Sequence, residues 1–171
     1  MIVLLTGGSG CGKSTYAEKL IAAMPKRNRV YIATMQVYDE ESVKRVARHR
    51  AQRADKGFET IERQKDIGGL AIAPGGTALL EDLPNLLANE MFDGGDWTRV
   101  LPGLQRLAAL CDNLVMVTND VFADGVSYPP STDEYLRRLA QINAGAAALA
   151  DYAAEVVYSI PVPFKGEAPC V

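Results

Sequence analysis

Gly7-Gly8-Ser9-Gly10-Cys11-Gly12-Lys13-Ser14 follows the apolar run Ile2–Leu5 and opens a helical pattern that runs from Lys13 to Met24. The stretch fits G-x-x-x-x-G-K-[ST]. At that spacing glycines let backbone N–H groups converge on phosphate oxygens, and the following helix adds the positive end of its dipole. Lys13 is the expected catalytic cation, reaching the β- and γ-phosphates of a nucleotide. The Ser14 hydroxyl is the expected Mg²⁺ ligand. A glycine-rich βα turn without a ligand would share the glycines. The lysine, the serine and the flanking strand and helix together favour a phosphate cradle.

Outward from this loop, strand and helix alternate. Val30–Thr34 (VYIAT), Thr77–Leu80 (TALL) and Leu114–Thr118 (LVMVT) are short apolar runs of the kind buried on both faces of a parallel sheet, and a weaker strand is expected at Glu155–Ile160. Helical patterns cover Lys13–Met24, Asp39–Ala54, Leu83–Phe92, Trp97–Cys111 and Ser131–Ala154. Crossovers long enough for helices imply right-handed βαβ units. The expected fold is α/β, P-loop NTPase-like, with a mostly parallel sheet and helices on both faces. At 171 residues it is read as a single P-loop nucleotide-binding domain, 1–171.

The remaining composition mainly excludes. A net charge of −3 with no long Lys/Arg run lacks the electrostatic footprint of a nucleic-acid binder. No apolar stretch approaches the roughly 20 residues that span a bilayer, so membrane insertion is not expected. The apolar start MIVLL is too short for a secretory signal. Cys11, Cys111 and Cys170 are odd in number and widely spaced, which argues against a disulfide framework or zinc site and suits a reducing, cytoplasmic compartment.

Two further features bear on chemistry. Asp39–Ala54 reads DEESVKRVARHRAQRA, acidic at its start and basic at its finish, as a helix dipole favours. Arg45, Arg48, His49, Gln52 and Arg53 crowd one face of that expected helix, and His49 is the chain's lone histidine. Such a face is commonly just solvated. The alternative is chemical: neighbouring cations disfavour the imidazolium, leaving His49 neutral and nucleophilic while the arginines grip phosphates. Spacing alone leaves both readings open. Glu81-Asp82 ends an apolar strand, where a carboxylate would hold Mg²⁺ or its waters, unless it is simply a polar strand end. Asn119 and Asp120, at the next strand end, read as readily as a helix cap or turn as they do as functional residues, and no role is assigned to them.

Taken in order, TGGSGCGKSTYAE, VYIATMQVYDEE, RVARHRAQR, ETIE, LLEDLPNLLANEMF, VTNDVFADG and VVYSIPVPFK resemble the bifunctional adenosylcobinamide kinase/adenosylcobinamide-phosphate guanylyltransferase family from Ile2 to Lys165. The resemblance implies phosphorylation of a corrinoid, adenosylcobinamide, followed by GMP transfer from GTP through a covalent GMP–histidine intermediate at His49. It implies Mg²⁺, with GTP and ATP as substrates, and a homotrimer. It carries nucleotide contacts to Gly7, Gly8, Ser9, Gly10, Cys11, Gly12, Lys13 and Ser14. Further contacts fall on Ala33, Thr34 and Met35, on Arg50, Ala51, Gln52 and Arg53, and on Glu62 and Glu81. A carboxylate such as Glu62 would accept from guanine N1–H and the exocyclic amine; which carboxylate does so stays open.

The chain departs from the family pattern at Phe58, where a Trp is usual, at Ser159-Ile160-Pro161 in place of GIP, and at Asn119-Asp120 in place of Asn-Glu. Two other functions fit the cradle alone. One is a small-molecule kinase without guanylyl transfer. The other is a nucleotide-dependent switch without a small-molecule acceptor.

Overall fold

The computed structural model describes residues 1–36, 57–122 and 125–169. Among these, seven strands form one sheet: β1 Ile2–Thr6, β2 Arg29–Ala33, β3 Glu59–Glu62, β4 Thr77–Glu81, β5 Asn113–Val117, β6 Tyr152–Val157 and β7 Ile160–Lys165, in spatial order β3-β2-β4-β5-β1-β6-β7. Every neighbouring pair is parallel except β6–β7. The helices are α1 Lys13–Ala23, α2 Leu83–Phe92, α3 Val100–Leu110 and α4 Pro130–Leu149.

Strand periodicity divides the core in two. Leu4, Ile32, Leu80 and Met116 point to one face, where they meet Leu86 of α2, Leu104 of α3 and Ile142 of α4. Val3, Leu5, Leu79, Val115 and Val117 point to the other, under Ala17, Leu20 and Ile21 of α1. The apolar runs are therefore continuous because both faces are covered. Leu104 is fully buried. Leu104→Ala should cost about 3 kcal/mol, read as a lower urea midpoint with an unchanged slope.

Most expected elements lie within a residue or so of their observed bounds. The expected helix Asp39–Ala54 lies wholly outside the described residues. Trp97–Cys111 is a 3-10 turn, Trp97–Arg99, leading into α3. The expected helix Ser131–Ala154 is corrected: α4 ends at Leu149, and Tyr152, Ala153 and Ala154 belong to β6. Alanine favours helix, but pairing with β1 decides. The Asp151 carboxylate accepts from the Ile2 N–H at 2.7 Å, and the Asp151 N–H donates to the Ile2 carbonyl at 2.8 Å, which starts the β1–β6 ladder. The weak strand expected at Glu155–Ile160 is in fact the end of β6 and the start of β7, joined by Tyr158 and Ser159 at φ 49° and 67°. Two positive-φ residues are the geometry of a tight hairpin turn. Pro161 and Pro163 lack N–H groups, so one edge of β7 offers fewer donors to a further strand.

Candidate nucleotide site

The loop between β1 and α1 makes the turns its glycines permit, with φ 140° at Gly7, 71° at Gly10 and 98° at Gly12. Close approach matters as much as φ. A Cβ at Gly7 would stand 2.6 Å from the Val156 carbonyl oxygen, and one at Gly12 would collide with the Ser159 hydroxyl. The loop is held from outside as well: Ser159 N–H donates to the Cys11 carbonyl at 2.7 Å, and Asp120 N–H donates to the Gly7 carbonyl at 3.2 Å. Asp120 also accepts from the Phe122 N–H at 3.3 Å, the turn role weighed for it from sequence.

Lys13 is buried at the first position of α1. Its Nζ donates to the carbonyls of Gly7 and Gly8, both at 2.7 Å, and lies 3.7 Å from Cys11 Sγ. The ammonium thus sits over the loop that would hold phosphates. Ser14 Oγ donates to Glu81 Oε1, and Tyr31 OH donates to Glu81 Oε2 at 2.8 Å. Phe58 packs edge-on against Tyr31, with ring centroids 6.4 Å apart, so the aromatic at that position braces the residue that aims Glu81. Among the described residues no three His, Cys, Asp or Glu side chains cluster as a self-sufficient metal site. The Ser14–Glu81 oxygen pair suits Mg²⁺, which takes one or two protein oxygens and completes its shell with phosphates and water.

The other expected contacts spread along the same carboxyl edge of the sheet. Ala33 lies beside Glu81 on one flank and Glu62 on the other. Thr34 is fully buried. Its N–H donates to the Glu81 carbonyl at 3.1 Å, and its Oγ1 both accepts from Asp82 N–H and donates to the Asp82 carbonyl at 2.8 Å. The Thr34 side chain therefore fixes the strand end that carries Glu81. Met35 is half-buried beside it, and Glu62 is exposed at the end of β3. His49, Arg50, Ala51, Gln52 and Arg53 lie outside the described residues.

Asp82 caps α2, accepting from Asn85 N–H at 2.8 Å and Asn85 Nδ2 at 2.9 Å. Burial pushes its carboxyl up from 3.8 to about 6, helped by the neighbouring Glu81 charge and opposed by the Asn85 bonds and the more distant Lys13. A raised folded-state value means the folded protein holds the proton more tightly. The stability Asp82 contributes is complete below about pH 4 and is lost as pH rises through about 6. Asp82→Asn keeps a capping side chain and should flatten that fall, measured by urea unfolding at pH 4, 5, 6 and 7.

Sequence reasoning missed Tyr31, Thr34 as the brace of the Asp82 backbone, and the β6–β7 turn as a wall of the site. The departure at Ser159 was the only signal for the last. A cleft of about 550 Å³ lies between that turn and the loop, lined by Gly8–Cys11 and Glu155–Ser159.

A mostly parallel sheet flanked by helices, with a lysine-bearing phosphate loop after its first strand and a strand-end carboxylate facing the loop serine, defines a P-loop nucleotide-binding protein. The sequence model described as CobU, cobinamide kinase / cobinamide phosphate guanyltransferase, matches residues 3–164, so the chain belongs to that family of enzymes. The bifunctional adenosylcobalamin biosynthesis protein CobU of Escherichia coli is 33% identical, with 96% of this chain and 100% of the relative covered. CobU of Salmonella typhimurium is 31% identical at the same coverage. CobP of Pseudomonas aeruginosa is 29% identical, over 96% of this chain and 97% of its own. Among solved structures, the flagellar accessory protein FlaH of Methanocaldococcus jannaschii matches with a TM-score of 0.52 at 13% identity, covering 97% of this chain and 78% of its own; that likeness concerns the fold alone. Among the described residues no helix is long and apolar enough to cross a membrane.

Proposed function

We propose that this chain phosphorylates the aminopropanol hydroxyl of adenosylcobinamide and then attaches GMP from GTP to the product, giving adenosylcobinamide-GDP. The observation that carries this reading is the family match over residues 3–164 together with the Lys13–Ser14–Glu81 constellation at one sheet edge. Relatives whose names mark them as bifunctional adenosylcobalamin biosynthesis proteins support both activities.

In the first step the loop amides and Lys13 hold the donor's phosphates and stabilise charge on the leaving nucleoside diphosphate. Ser14 and Glu81 would hold Mg²⁺, which would supply charge neutralisation when bound. In the second step a neutral His49 nitrogen attacks the α-phosphorus of GTP, the bond to the bridging oxygen breaks, and pyrophosphate leaves with the electron pair. A phosphate oxygen of the corrinoid then attacks the His49–GMP phosphorus, and the P–N bond returns its electrons to the imidazole. The arginines at 50 and 53 hold the phosphates through this exchange, and Glu62 pairs with guanine. One cytoplasmic domain spanning 1–171 performs both steps, assembled as a homotrimer.

The test is a product assay with adenosylcobinamide, ATP, GTP and Mg²⁺, followed by mass spectrometry of the corrinoid. Adenosylcobinamide-GDP is expected. Accumulation of only the phosphorylated corrinoid would leave a plain kinase. Slow GTP hydrolysis indifferent to the corrinoid would leave a switch.

A further inference from the structure

The cleft beside the phosphate loop has no part in the two steps as described above, and its position relative to the metal-binding edge gives it a direction. Ser14 and Glu81 meet on the β4 side of β1, with β5 between. If Ser14 and Glu81 hold the metal on a nucleotide's terminal phosphates, Lys13, whose Nζ lies on the Gly7 and Gly8 carbonyls, is placed for the phosphates that follow across the loop, and the nucleoside would then lie toward β6. There the loop is flanked directly by the β6–β7 turn, with Ser159 N–H bonded to the Cys11 carbonyl at 2.7 Å, and the intervening space is about 550 Å³. That volume lies within the range of small-ligand pockets.

Its lining suits a nucleoside. Glycines and the valines of β6 give a partly apolar lining; Tyr158 supplies a ring that is 89% exposed and so available to stack; Glu155 is the single charged residue among the lining side chains and accepts N–H or O–H donors only. Two of the nucleotide contacts that the family resemblance assigns, Ala33 and Glu62, lie the other way. Ala33 ends the third strand from β1 on the opposite side, and Glu62 the fourth, roughly 14 and 19 Å distant at the usual strand spacing.

We propose that the cleft between the phosphate loop and the β6–β7 turn binds the nucleoside of the phosphoryl donor, with Tyr158 stacking on the base and Glu155 accepting from it or its sugar. One phosphate cradle then serves two nucleoside berths, the hairpin cleft for phosphoryl transfer and the Ala33–Glu62 edge for guanylyl transfer. This rests on the kinase reading of the cradle, and the experiment separates the two.

Calorimetric titration of ATP and of inorganic tripolyphosphate, each with Mg²⁺, is made on wild type, Tyr158→Ala, Glu155→Gln and Lys13→Ala. Tyr158→Ala is expected to weaken ATP roughly tenfold, the usual order for a lost base–aromatic stack, with tripolyphosphate bound as in wild type. Glu155→Gln is expected to act in the same direction on ATP alone. Wild-type ATP affinity in both variants would overturn the proposal, and so would an equal loss for both ligands, which would mean that the turn only supports the loop. If Lys13→Ala left ATP and tripolyphosphate binding unchanged, the cradle reading would fall and this proposal with it.

Discussion

Incubated with GTP and Mg²⁺, the wild-type protein is expected to gain the mass of one GMP in an acid-labile linkage, and His49→Ala is expected to gain nothing. A phosphoramidate forms only on a nitrogen nucleophile, and His49 is the sole histidine in the chain, so no second imidazole can take over. Guanylyl transfer should fall on the order of 10⁴-fold or more in the variant, the scale seen when a covalent nucleophile is removed. Phosphorylation of adenosylcobinamide should persist, because the cradle is built from residues 7–14 and Glu81. Intact-protein mass spectrometry reads the adduct, and a corrinoid phosphorylation assay reads the retained step. An adduct on His49→Ala would move the covalent chemistry elsewhere; loss of both activities would mean that His49 serves binding common to the two steps.

Lys13→Met is expected to lower kcat/KM for phosphoryl transfer about 10²–10³-fold, the range associated with removing one preorganised charge or donor from a transition state. Lys13 is buried and its ammonium lies on the Gly7 and Gly8 carbonyls, so the loop presents the charge in place before ligand arrives. Methionine has similar length and removes the charge without leaving a large void. Those two carbonyls lose their donor, which should cost about 1–3 kcal/mol of folding stability, measurable by urea unfolding alongside the kinetics. Lys13→Arg should not restore the rate, since a planar guanidinium fork does not fit a position shaped for a compact ammonium. A wild-type rate in Lys13→Met would remove the lysine from the chemistry.

How much of this could be read in advance depends on the range of the interactions involved. The cradle was legible because its glycines, lysine and serine act within eight consecutive residues and need only a strand before them and a helix after them. The four apolar strands of the central sheet were legible because both faces are buried, so that their hydrophobicity is continuous. The edges were not. β3 is four residues long with glutamates at both ends, and β7 carries prolines at 161 and 163, each a pattern that local propensity reads as loop. Residues 150–154 look like helix from their alanines; pairing with β1 through Asp151 makes them turn and strand.

By itself, then, the sequence determined that a phosphate loop opens an α/β chain, and in RVARHRAQR and its companions it carried the resemblance to one enzyme family, because each of these signals is local or short. Only the tertiary structure decided that Glu81 meets Ser14 across 67 positions of chain, that Tyr31 and Thr34 hold that strand end in place, and that the β6–β7 turn closes the far side of the loop. The physical reason is the strand order: β5 is inserted between β1 and β4 while β6 takes β1's other edge, an arrangement selected by burying two faces of one sheet at once rather than by any local preference.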